Sequence, residues 1–196
     1  MALSLPNTVT TDYTIKTIID SSSNTSISAT LPSSRTVGEG MIAFLCSTRN
    51  ALSDITGVPT GWQFEAKRST GSTTFPFLWI YSKIVDGTED GSANATTFTW
   101  SGGTPADTGD DVCLIRMVRG NVDTSDMIGA ISAVATGTSV SPASAAISTL
   151  ADSSIVMYLA CAVNGNRITA VDSNYPSGST GLLARASRAF SVGEVY

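Results

Sequence analysis

Apolar residues in this chain come in short runs, rich in β-branched and aromatic side chains and bounded by Gly, Ser, Asn and Pro. Nowhere do they recur with the spacing of an amphipathic helix. The pattern predicts strands at 12–19, 26–31, 40–48, 62–69, 75–85, 95–100, 111–119, 128–135, 144–150, 154–163 and 181–190. Between them, Asp86-Gly87, Asp90-Gly91 and Gly102-Gly103 supply the positive φ that tight connections need. Many short strands with no helical crossover exclude a parallel βαβ fold and imply an all-β chain, a two-sheet antiparallel sandwich of jelly-roll-like type. Residues 1–25, rich in Ser and Thr, read as an N-terminal arm or edge strand, and 26–196 as a single β-sandwich domain.

Several strands break the alternation expected of a two-layer sandwich, in which one face of each sheet meets the core and the other meets water. In 75–85 one parity carries Phe75, Phe77, Trp79 and Tyr81, while the other carries Leu78, Ile80 and Ile84. In 154–163 both parities are apolar again, with Tyr158 on one of them. Something must cover the second face, either loops of the chain or another molecule. Monomers seldom leave large apolar patches open, so the pattern favours a homo-oligomer or docking on a larger assembly.

The order of elements also repeats weakly. Ile27–Leu31, Met41–Cys46 and Pro59-Thr60-Gly61 with the strand after it are echoed by Ala146–Leu150, Val156–Cys161 and Pro176-Ser177-Gly178 with the strand after it. Such an echo fits two related β-modules facing each other. The first copy continues into the aromatic strand 75–85, whereas the second ends at Phe190–Tyr196. The C-terminus is therefore either a short edge strand or a position completed by another chain.

Composition narrows the chemistry. Of 196 residues, 42% are hydrophobic and 14% charged, with 28 Ser and 26 Thr, no His and a net charge of −5. Without a basic excess, nucleic acid is a poor partner. Without His, the usual general base and the commonest zinc ligand are missing, and no G-x-S-x-G elbow or phosphate-cradling loop occurs. The acidic residues fall mostly in predicted turns, and Asp86–Gly91 lacks the alternating carboxylates and distal Glu of a calcium loop. The same weighing, turn chemistry against a cation site, applies to Asp107, Asp110 and Asp111. The expectation is a protein that is not an enzyme, with no cofactor and no metal. Cys46, Cys113 and Cys161 each sit inside an apolar run, odd in number and widely spaced, which reads as buried free thiols and suits synthesis in a reducing cytoplasm. The N-terminus carries no signal-like segment, and the longest apolar run is about half a membrane span.

Aromatic residues offer the remaining surface chemistry. Trp62, Trp79, Tyr81 and Tyr158 are candidate ligand or interface positions, since an exposed ring can stack on a sugar face; Trp100 is a further possible platform. Against that, Trp79 and Tyr81 share a parity with Phe75 and Phe77, and Trp100 shares one with Phe98, as core aromatics would. Trp62, directly after Pro59-Thr60-Gly61, either caps the end of the sandwich or presents a platform.

The series Gly38-Glu39-Gly40-Met41-Ile42-Ala43-Phe44, Val58-Pro59-Thr60-Gly61-Trp62, Trp79-Ile80-Tyr81-Ser82-Lys83, Phe98-Thr99-Trp100-Ser101 and Met117-Val118-Arg119-Gly120 resembles a β-sandwich domain of phage virion proteins. The resemblance covers about residues 26–185 and departs where Pro176-Ser177-Gly178 lacks its Trp. It implies a structural virion protein: a capsid decoration or cement protein, a head fibre or a tail-associated receptor-binding part. The decoration role would bring a homotrimer made in the host cytoplasm, seated on the capsid surface and bound to the major capsid protein. The alternative is a carbohydrate- or receptor-binding module, with a glycan as partner.

Overall fold

The computed structural model describes residues 13–19, 25–32, 35–47, 49–50, 55–69, 77–88, 94–100, 104–105, 110–118, 122–132, 156–161, 179–185 and 190–195. Among them all regular structure is β. The strands are β1 (Tyr13–Ile19), β2 (Ser26–Thr30), β3 (Gly40–Ser47), β4 (Arg49–Asn50), β5 (Ile55–Gly57), β6 (Gln63–Ser69), β7 (Phe77–Ile84), β8 (Ala95–Trp100), β9 (Thr104–Pro105), β10 (Asp110–Val118), β11 (Val156–Cys161), β12 (Ser179–Arg185) and β13 (Phe190–Val195). They pair as a five-stranded sheet β1-β10-β3-β7-β6, a three-stranded sheet β2-β8-β5, a second three-stranded sheet β11-β13-β12 and the short ladder β4-β9. Every ladder is antiparallel.

The five-stranded sheet and the β2-β8-β5 sheet pack face to face as a sandwich. Met41, Ala43 and Leu45 of β3, Phe77, Trp79 and Tyr81 of β7, and Cys113, Ile115 and Met117 of β10 form one side of the core. Ile27 and Ala29 of β2 with Phe98 and Trp100 of β8 form the other. The two-residue period of a strand produces this sorting: on β2 the buried Ile27 and Ala29 alternate with less buried Ser26, Ser28 and Thr30. Rings lock the layers together, with Tyr81 and Phe98 centroids 5.2 Å apart and Trp62 set edge-on to Phe98 at 5.6 Å. Along the side of the core, the Lys67 ammonium lies 5.3 Å from the Phe77 ring centre and 5.8 Å from that of Trp79. This is a cation–π arrangement that leaves the aliphatic stem over apolar surface.

Over β3 and β7 the opposite face of the five-stranded sheet is not open to water. On β3, Ile42, Phe44 and Cys46 stand opposite Ser82, Ile80 and Leu78 of β7, on the side away from the sandwich core. Ile42, Phe44, Cys46 and Ile80 are all at most 9% exposed within a single chain. The cover of the second face is thus intramolecular. One described part of it is the segment 122–132, whose Met127 sulfur occupies the space a Cβ on Gly40 would need. The two-faced apolar pattern therefore does not by itself demand a second copy of the chain.

Other differences from the sequence expectation are local. Ile128–Ser132, expected within a strand over 128–135, runs without regular structure; residues 133–135 and the expected strand 144–150 lie outside the described residues. The C-terminal strand is neither an edge nor a vacancy: β13 is central, paired to β11 on one side and β12 on the other. The order β11-β13-β12 matches β3-β7-β6, so β13 stands where the echo places the counterpart of β7. Cys46 is disulfide-bonded, which corrects the expectation of three free thiols and removes the inference of a reducing compartment drawn from them. An apolar setting suits a buried half-cystine as well as a buried thiol, so the flanking residues could not tell them apart. Cys113 is free and buried.

Candidate functional site

The chemically distinctive part of the described chain surrounds the C-terminal end of β7. Two turns meet there. In Thr36–Glu39, the Glu39 amide donates to the Thr36 carbonyl at 3.0 Å and the Glu39 carboxylate accepts from the Thr36 amide at 2.9 Å. Gly38 takes φ 90° and donates to the Val85 carbonyl, while the Val85 amide donates to the Glu39 carbonyl at 2.8 Å. This clamps the entry of β3 to the exit of β7.

The second turn is Pro59-Thr60-Gly61-Trp62, closed by the Trp62 amide on the Pro59 carbonyl at 3.2 Å with Gly61 at φ 81°. Positive φ at the third position defines a type II turn and calls for Gly. The turn exposes the Thr60 carbonyl inward, where it accepts from Lys83 Nζ at 3.0 Å. Lys83 is 6% exposed, and its ammonium lies 3.8 Å from the Asp86 carboxylate. A buried ammonium needs such partners, because desolvating an unpaired charge is prohibitive. A Cβ on Gly61 would stand 2.5 Å from Lys83 Nζ, so the glycine leaves room for the cation as well as permitting the turn. Asp86 is held in its own turn, accepting from the Thr88 amide at 2.9 Å and the Thr88 hydroxyl at 2.6 Å.

The large exposed hydrophobic residues among the described ones are Val37 at 61%, Val58 at 40% and Phe64 at 59% exposed, each within two residues along the chain of one of these two turns. Val37 precedes Gly38, Val58 precedes the turn that receives Lys83, and Phe64 lies across β6–β7 from Tyr81 with its ring edge-on at 5.6 Å. Phe64 occupies a core-side register position on the edge strand β6, yet most of its ring surface stays open. Next to it a register shift between Phe64 and Ala66 turns Glu65 to receive the Ser82 hydroxyl.

Of the sequence candidates, Trp62, Trp79 and Tyr81 are buried in the sandwich core. Trp79 stacks on Phe77 at 5.8 Å. Tyr158 lies on β11 opposite Gly193, and its side chain is outside the described residues. The structure brings Trp62 and Tyr81 together around Phe98 and does not bring Trp79 to the surface. Phe64 is the exposed ring beside the turns and Lys83 the buried cation that ties them to β7; neither was a candidate site residue from sequence, although Lys83 closes the Trp79-Ile80-Tyr81-Ser82-Lys83 motif. A signal existed for Lys83: it continues the Phe77, Trp79, Tyr81 parity, so a lone cation at a core position needed a partner.

Burial pushes the Cys113 thiol up to about 12, so it carries almost no thiolate near neutral pH and is a poor nucleophile. The Ser125 hydroxyl, then the Ser125 and Asp126 amides, hold the exposed Asp123 carboxyl below the usual range. Among the described residues no three His, Cys, Asp or Glu side chains converge as metal ligands, and no helix is long and apolar enough to cross a membrane. No family model, no curated protein and no solved structure matches the chain.

Proposed function

We propose that the protein is a structural component of a virion, a capsid decoration or cement protein that binds the shell through the end of the sandwich bearing Val37, Val58 and Phe64. The observation that carries this reading is that all three large exposed apolar side chains among the described residues lie in or within two residues of the two turns that meet at the end of β7. Singly scattered surface hydrophobics need no explanation, whereas a group at one end of a rigid sandwich suits docking against a partner. The motif series that resembles phage virion domains supports it. Its Gly38 turn, its Pro59–Trp62 turn and its Lys83 are the parts that build this end. In this reading the sandwich is jelly-roll-like, the protein assembles as a homotrimer, its partner is the major capsid protein, and it performs no catalysis. It is made in the host cytoplasm and works on the capsid surface.

The full chain, mixed with assembled shells of its own particle that lack it, is expected to co-sediment with them. Phe64→Ser should weaken that association at least about tenfold while leaving the unfolding midpoint close to wild type. A strictly monomeric protein by light scattering that never enters the shell pellet would overturn the proposal. The exposed Phe64 ring also gives the carbohydrate-binding alternative its platform, in place of the buried Trp62. A glycan-array signal lost in Phe64→Ser, without shell binding, would replace the first reading by the second.

A further inference from the structure

The intramolecular cover on the second face of the five-stranded sheet has an anchor in Cys46. This residue lies on that face, beside Phe44, 2% exposed and disulfide-bonded. Cys113 is free and belongs to the sandwich core on the other face, opposite Leu45. The chain has three cysteines, so within it Cys161, the last residue of β11, is what remains. The pairing has a structural logic. Met41–Cys46 and Val156–Cys161 are the corresponding segments of the sequence echo, and the sheets containing them share the order β3-β7-β6 and β11-β13-β12. All four of these ladders are antiparallel, and the β6–β7 and β12–β13 ladders both carry register shifts. Copies of one module that pack about a local two-fold axis bring equivalent positions together at the axis.

We infer that Cys46 and Cys161 form a disulfide between equivalent positions of a duplicated three-stranded module, and that the β11-β13-β12 sheet is the layer over Ile42, Phe44 and Ile80. The bond is made by oxidation: two thiols lose two protons and two electrons, and a small-molecule disulfide accepts them by exchange through a mixed disulfide, leaving as two thiols. In a reducing compartment the chain would hold both thiols, and the bond would close on transfer to an oxidising one. The inference does not depend on the proposed virion role.

The test uses the full chain equilibrated with oxidised glutathione, denatured in an alkylating reagent, digested and mapped by mass spectrometry. The expected result is one linked peptide pair containing Cys46 and Cys161, with Cys113 alkylated. Recovery of Cys46 as an alkylated thiol, or its linkage to Cys113 or to a second chain, would overturn the inference. Reduction should lower the thermal midpoint by roughly 5–15 °C, as expected for opening a long loop in a chain of this size. That shift should persist in Cys113→Ala and vanish in Cys46→Ser and in Cys161→Ser. A shift that survives in Cys161→Ser would also overturn it.

Discussion

Lys83 and Gly61 show how a short sequence motif can be a packing device and not a binding one. The turn contributes an inward carbonyl, the strand contributes a buried ammonium, and the glycine keeps a Cβ from the space between them. Gly38 has the same left-handed backbone but faces nothing within 4 Å. The two positions therefore separate two costs. Gly38→Ala should lose only the strain of a left-handed alanine, about 1 kcal/mol. Gly61→Ala adds displacement of a buried cation from its acceptor and should lose about 2–4 kcal/mol. Urea unfolding of the two variants gives the comparison, and equal losses would show that the Lys83 side chain shifts aside at little cost. Lys83 was legible in the sequence as an oddity of parity. Its partner was not, because Thr60 acts through a backbone carbonyl that any residue type carries.

At the scale of elements, legibility followed side-chain content. Strands β3, β7, β8 and β10 are dense in apolar, aromatic or β-branched residues and fall within a residue or two of the expected ranges. Strand β5 is three residues ending in Gly57, and β13 reads Phe-Ser-Val-Gly-Glu-Val, so neither advertises itself. Ladder partners define such strands where propensity does not. Strand β13 matters out of proportion to its weak signal, since among the described strands β11 and β12 pair with nothing else. Deleting residues 190–196 removes the centre of that sheet. The variant is expected to bind a hydrophobic dye such as ANS and to unfold at markedly lower urea concentration, because the layer inferred to cover Ile42 and Phe44 loses its ladder. Unchanged dye binding and midpoint would mean that other parts of the chain cover that face.

For the whole molecule, the central issue is which apolar surface is spent within the chain and which remains for partners. The sequence pattern marked the strands 75–85 and 154–163 as apolar on both faces but could not say whether the second cover was a copy of the chain or another part of it, since both leave the same alternation; for β7 and its neighbour β3 the structure answers. Burial within one chain decides it: Phe44 is 4% exposed, whereas Phe64 is 59% exposed. Two phenylalanines thus have opposite expected phenotypes. Phe44→Ala opens a cavity under an intramolecular layer and should cost about 3–5 kcal/mol in urea unfolding. It should leave the assembly state, measured by light scattering on the folded fraction, as in wild type. Phe64→Ser removes a ring that faces water in the isolated chain and should change stability by less than about 1 kcal/mol. Any self-association or shell binding through the β7 end should weaken with it. The reverse outcome, a Phe44→Ala chain of wild-type stability that no longer assembles, would mean that a second copy covers β3 in solution and would move the interface from the end of the sandwich to its face.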